Sequence, residues 1–254
     1  MPGSAALRIA RSETVLFLRE PVAVFFSLAF PLILLVFVGS VIGREMVDPG
    51  VRGIDAFMPT MIGVTAANVG VMGFAIHVAE ERSRGVLRRM RLAPIRDIDY
   101  FVAQMITAGA MLLVAIVLLA AVTFAFYGSP PASDWSVLNL IPLLGASFVA
   151  MYVMFSLGLL VGGLRMPVRS IQVVGASIFF VMFFSSGAAI PREGFPGWLQ
   201  ALSEVNPLSH LNDFLLAAYL GRSAGEALVV AGLVVAAVAL NLITRRTFDW
   251  EGRI

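Results

Sequence analysis

The chain is 254 residues long, 59% hydrophobic and only 13% charged, with a formal net charge of +2 and a mean hydropathy of +0.91. Soluble domains are typically about 45–50% apolar and about 25% charged, so this balance indicates an integral membrane protein. The absence of cysteine excludes disulfides, thiolate metal sites and cysteine nucleophiles, and because all 18 basic residues are arginine, a lysine-dependent phosphate loop and a Schiff-base lysine are excluded too.

Taken in chain order, Ala5 to Glu20 mixes Leu7, Ile9, Val15, Leu16 and Leu18 with Arg8, Arg11 and Arg19. This pattern predicts an amphipathic helix lying on the membrane ahead of Pro21. Six uncharged runs follow: Pro21–Gly43, Ala56–Ala79, Phe101–Ser133, Trp135–Leu164, Ser170–Pro191 and Ala227–Thr244. A spanning helix needs roughly 20 apolar residues, so the expectation is an all-α protein of six spans forming one transmembrane unit over 1–254. The third run is read as a span plus a turn at Pro130-Pro131. The first run starts late and is long enough to span, so a cleaved signal peptide is not expected.

Two connections stand out. Between the second and third runs, residues 80–96 hold six arginines from Arg82 to Arg96. Between the fifth and sixth, residues 191–226 carry short apolar pieces, Gly197–Leu202 and Leu211–Leu220, broken by Pro196 and Pro207. They are too short to span and read as re-entrant helices packed on protein. The fourteen arginines Arg8, Arg11, Arg19, the six from Arg82 to Arg96, Arg165, Arg169, Arg245, Arg246 and Arg253 fall on one side of a six-span topology, against four at Arg44, Arg52, Arg192 and Arg222. By the positive-inside rule both termini and the basic loop are cytoplasmic. Arginine-only usage points to a GC-rich bacterial genome, hence a bacterial cell membrane.

Catalytic patterns are absent. The two histidines, His77 and His210, form no His-Glu-x-x-His pair, and no nucleophile-elbow sequence occurs. Ser185-Ser186-Gly187 fits small-residue helix packing, and His77 fits an interfacial side chain. An ion-driven carrier usually has ionisable residues within its spans, and none of the six runs has one in its middle. Energy for uphill movement would therefore enter from outside the membrane.

The basic loop is the remaining candidate. Glu80 to Leu92 has helical character: Val86, Leu87 and Met90 share one face, Arg84, Arg88 and Arg91 another, and Pro94 ends it. Glu80 and Glu81 suit its N-terminal dipole. Gly85 weakens helix propensity and marks a bend. Such a helix docks into a partner's groove or lies on anionic headgroups; physics alone leaves both open.

The segment "EERSRGVLRRMRLAPIRDIDYFVAQ" resembles the cytoplasmic loop of type-2 ABC exporter permeases, the membrane subunits of drug, lipid and polysaccharide exporters, including the daunorubicin-resistance type. Glu81, Arg82, Gly85, Leu87, Arg88, Met90 and Pro94 occupy the motif's positions, with Val86 where Thr is usual and Arg84 in place of an acidic residue. "FLREPVAVFFSLAFPLILLVFVG" is similar to that family's entry to its first span, and "NPLSHLNDFLLAAYLG" to its external Asn-Pro-Leu segment, at Asn206, Pro207 and Leu208. The family often has an arginine near Leu216, which this chain lacks. The resemblance implies that Glu81, Arg82, Arg84, Gly85, Val86, Leu87, Arg88, Met90, Arg91 and Pro94 form a coupling helix against a separate ATP-binding subunit. It also implies two such subunits per complex, ATP and magnesium on them and no cofactor on this chain, and a second permease copy or a similar permease completing a dimer. Phe25, Phe26, Phe30, Phe179, Phe180, Phe183 and Phe184 are candidates to line a route for an apolar substrate, drug or lipid. Packing between helices or lipid contact is the more ordinary explanation of phenylalanines there. Two other readings stay open: a membrane anchor or assembly subunit with no transport of its own, and an ion-driven carrier.

Overall fold

A computed structural model of the protein describes residues 25–48, 50–86, 89, 97–128, 137–222 and 225–247. The expected amphipathic helix over residues 5–20, the entry to the first span and the Pro130-Pro131 turn lie outside them. A π-helical turn, Phe25–Ala29, leads into α1 (Phe30–Ile42). Next come a small antiparallel hairpin of β1 (Met46–Asp48) and β2 (Val51–Arg52), then α2 (Gly53–Ser83) and α3 (Asp97–Tyr127). A 3-10 turn, Val137–Asn139, precedes α4 (Leu140–Gly162), and α5 is Val168–Ser185. Two short helices, α6 (Gly197–Val205) and α7 (Pro207–Leu220), precede α8 (Ala227–Thr247). The protein is thus an all-helical membrane fold, with one small hairpin that the run-based reading did not anticipate. Among the described residues five helices, α2, α3, α4, α5 and α8, are long and apolar enough to cross a membrane, and Ser27–Ile42 is a shorter apolar helix.

The structure extends the second run at both ends. An uncharged-run criterion stops at Asp55 and Glu80, whereas α2 continues past both to Gly53 and Ser83. A helix tolerates charge at its ends when each charge is paired. Pro31 lies in the first turn of α1, directly after the π turn. Proline cannot donate to residue i−4 and its ring crowds that carbonyl, which accounts for the wide turn before it.

Helix α2 is the centre of the bundle. Its most apolar stretch is 78% buried, against 17% for α8. Helices α1, α3, α4, α5 and α7 all pack on it, and α8 packs mainly on α4. The tightest crossing is α2 on α4. A Cβ on Gly158 would lie 1.9 Å from the Gly70 carbonyl oxygen, and one on Gly70 would lie 2.7 Å from the Phe155 nitrogen. Beside that crossing Phe74 stacks on Phe155 with centroids 3.9 Å apart. In lipid, close backbone approach through small residues is a main source of helix association.

The crossing lies in a second π-helical turn, Asn68–Gly73. Buried Asn68 meets the first π turn there, accepting a 3.2 Å hydrogen bond at Oδ1 from Ser27 Oγ. Gly175 of α5 sets its own backbone against Met72 Cα. The two irregular turns therefore meet where four helices converge.

Any side chain at position 158 must displace backbone, which cannot yield as a flexible side chain does. Gly158→Leu is expected to lower stability by at least about 3 kcal/mol or to prevent assembly. Gly232, on α8, has no neighbour within 4 Å of a new Cβ, and Gly232→Ala is expected to be neutral or stabilising by up to about 1 kcal/mol. Thermal unfolding of the two purified variants in one detergent checks both signs.

Candidate functional site

At the loop end of α2 the side chains form a polar knot beneath the basic segment. Glu81 is buried within the last turns of α2. Its carboxylate accepts a hydrogen bond from Tyr100 Oη on α3. One helical turn earlier, His77 Nε2 lies 2.9 Å from Gln104 Nε2 and 3.4 Å from Glu81 Oε2. The i, i+4 spacing of His77 and Glu81 sets both on the face of α2 that meets α3. Tyr100 and Gln104 share that spacing on α3, so the two helices zip together by matching polar pairs. His77 is therefore part of a hydrogen-bonded cluster rather than a lone interfacial group.

Arg82 turns to the other side. Its Nη2 donates to Met166 O at 3.0 Å and its Nη1 to Gly162 O at 3.4 Å, both at the connection between α4 and α5. Arg84 is exposed and its side chain forms a surface pair with Glu80, at 3.2 Å, an arrangement of little energetic weight. Gly85 has φ +67° with open space around it. It is the left-handed residue that ends α2: Arg84 N and Gly85 N close the last turn onto Glu80 O and Arg82 O. A helical turn restarts at once, with Arg89 N donating to Gly85 O at 3.2 Å. The bend expected at Gly85 is thus a reversal of backbone hand that glycine adopts without steric cost. Val86 is half-buried and Arg89 exposed. Leu87, Arg88, Met90, Arg91 and Pro94 lie outside the described residues.

The seven phenylalanines separate by environment. Phe179 and Phe183 are buried, and Phe183 meets Phe30 edge-on at 6.1 Å, joining α5 to α1. Phe25, Phe180 and Phe184 are exposed, the last two stacked on each other along α5. The Phe26 side chain lies outside the described residues.

At the opposite end, the Asn-Pro-Leu segment is an anchor. Asn206 caps α7, accepting from Leu208 N at 2.9 Å. Its Nδ2 donates to Met182 O and Ser185 Oγ at the end of α5. Pro207 occupies the first turn of α7, where its missing N–H costs nothing, and Leu208 is fully buried. Ser185 and Ser186 return their hydroxyls to the carbonyls of Val181 and Phe183, as helix packing requires. Arg192 grips Asp213 through both its terminal nitrogens.

Nearby, fully buried Asp55 takes Arg52 Nε at 2.8 Å, Arg52 Nη2 at 3.1 Å and Arg52 N at 3.3 Å. The hydrogen bond to Asp55 holds the Arg52 guanidinium above its ordinary range, against a smaller opposing effect of burial. Burial pushes the Tyr219 phenol above its ordinary range, and the Asp55 charge adds to this. Asp55 is thus held by three hydrogen bonds from Arg52, and among the described residues no cluster of three or more metal-ligating side chains occurs.

Comparison with known proteins agrees with this architecture. The profile of the ABC-2 type transporter family matches residues 5–220. A probable doxorubicin resistance ABC transporter permease, DrrC of Mycobacterium tuberculosis, is 26% identical over 225 residues, covering 83% of this chain and 78% of the relative. The putative transport permease YvfS of Bacillus subtilis is 26% identical over 201 residues, covering 77% of this chain and 78% of its own. The probable multidrug ABC transporter permease YbhR of Escherichia coli is 25% identical over 166 residues, covering 64% and 43%.

The knot itself is open to measurement. Tyr100→Phe leaves a buried carboxylate short of a donor, and a loss of about 1–3 kcal/mol is expected. In a double-mutant cycle with Glu81→Gln, unfolding in detergent should return a coupling of at least about 1 kcal/mol. Additive losses would mean that the pair does not hold α2 to α3.

Proposed function

The chain belongs to the ABC-2 type transporter family and is a multi-pass membrane permease of it; from that premise we propose that it is the pathway-forming subunit of an ATP-driven exporter of apolar or amphiphilic molecules. ATP is bound and hydrolysed on a separate subunit, present twice, and a second permease copy or a similar permease completes the pathway. Both termini and the basic loop face the cytoplasm of a bacterial cell, a reading that rests on the arginine asymmetry.

The observation that carries the reading is the construction of the loop. Its root is fixed to α3 through Glu81 and Tyr100, and to the α4–α5 connection through Arg82. Its onward residues Arg84 and Arg89 are exposed. A segment rooted in the bundle and cationic on its open face suits docking onto an acidic groove. On ATP binding the two nucleotide-binding subunits close and carry the loop with them. Work reaches the spans only to the extent that the subunits bind the two loop positions with different affinity. Support for an apolar substrate comes from the exposed Phe25, Phe180 and Phe184 and from the drug-related names of two relatives.

The decisive experiment purifies the tagged chain from its native membrane and assays vanadate-sensitive ATP hydrolysis on the complex. An ATPase subunit is expected to co-purify, and the double reversal Arg84→Glu/Arg89→Glu is expected to reduce the recovered activity about tenfold, equivalent to about 1.4 kcal/mol of lost binding. Intact chain recovered with no ATPase in several mild detergents would transfer the weight to the anchor reading. Transport that follows an ion gradient and ignores ATP would favour a carrier.

A further inference from the structure

We propose that Arg82 is a positioning residue that makes the α4–α5 connection travel with the coupling loop. The inference deepens the permease reading and rests on it. A loop between α2 and α3 is joined by the chain to those two helices alone, and α5 reaches it through packing on α2. Arg82 belongs to the loop's sequence motif yet does not face outward. Its guanidinium spans two backbone carbonyls, Gly162 O at the last residue of α4 and Met166 O in the connection to α5. The last carbonyls of a helix lack intrahelical partners and carry the negative end of the helix dipole, so a cation is held there by charge as well as by hydrogen bonding.

A second feature at the same level makes the linkage rigid. Gly162 brings α4 so close to α2 that an added Cβ would stand 3.0 Å from Ala75 O and 3.1 Å from Val78 Cβ. The α4–α5 connection is therefore both hydrogen-bonded to the loop's first arginine and packed on the helix that carries the loop. Helix α5 begins immediately beyond, at Val168, and bears the exposed Phe180 and Phe184. Displacement of the loop thus reaches the phenylalanine-bearing helix through the Arg82 hydrogen bonds as well as through the packing of α5 on α2. Arginine suits the task because its planar fork reaches two acceptors at once; a lysine ammonium offers one point charge.

The test uses the full chain. It contains no cysteine, so Ser83→Cys with Ser170→Cys gives a unique spin-label pair, one label at the end of α2 and one in the first turn of α5, both exposed. With Arg82 present, one narrow distance distribution is expected, shifting by less than about 2 Å on addition of ATP and vanadate to the complex. Arg82→Ala is expected to broaden the distribution even without nucleotide, and Arg82→Lys to fall between. In the complex, the increment of ATP hydrolysis produced by doxorubicin, the probe substrate, should drop about tenfold in Arg82→Ala and recover in part in Arg82→Lys. An unchanged distribution in Arg82→Ala overturns the proposal, as does a larger shift with Arg82 intact. The width is read on the chain alone. Broadening in Arg82→Ala with no ATP response in any form would uphold the linkage and remove the ATP-driven exporter reading instead.

Discussion

The close passage of α2 over α4 at Gly70 and Gly158 is the constraint on which the rest of the fold depends. Two backbones in van der Waals contact leave no slack, and their separation sets where every other helix can lie. Because α1, α3, α5 and α7 also pack on α2, the position of one helix governs five neighbours. The same helix carries the basic loop at one end and the Arg52–Asp55 pair at the other. An element that is both the packing centre and the stem of the loop can transmit displacement, since a rigid core is bistable rather than compliant.

Polar groups in this bundle serve as joints. Glu81, Gln104, Asn206 and Asp55 are all buried, and each is engaged by a partner on another element or at the helix start. In a low-dielectric interior an unpaired group of this kind is costly, so each pair fixes a specific register between helices. Most of these joints lie at the two ends of the spans, while the middle is held by glycine contacts and aromatic stacking together with the Asn68–Ser27 hydrogen bond. Sliding of one helix past another is thus resisted at the ends by hydrogen bonds and in the middle mainly by shape.

Much of this organisation was legible in the sequence because it follows from hydropathy. Long uncharged runs located the spans, and the arginine cluster located the loop. Gly85 and the Asn206-Pro207-Leu208 segment were legible as special positions, though their roles were not. Asn206 read as part of an external motif, whereas its amide in fact ties α7 to α5. The helix ends were misjudged because charge was treated as a boundary. Asp55, Glu80 and Glu81 lie within α2; Asp55 is paired locally, with Arg52 three residues before it, whereas the partners of Glu81 and Arg82 come from the tertiary fold. Tyr100 is 19 residues from Glu81, and Met166 is 84 from Arg82. No local pattern reports such a pairing. The π turns were equally hidden, since their sequences, FFSLA and NVGVMG, read as ordinary apolar helix.

The π turn at Asn68–Gly73 has a consequence for angular phase. A helix with one residue inserted into a turn resumes its course beyond it with every later side chain rotated by about 100° relative to an unbroken α-helix. His77, Glu81 and Arg82 all lie beyond this turn. Their bearings toward α3 on one side and the end of α4 on the other exist only because that extra residue is present. A chain one residue shorter between positions 68 and 73 would keep its length, hydropathy and loop almost intact, yet aim Glu81 and Arg82 away from their partners. The irregular turn is in effect the dial that sets which way the loop's root faces.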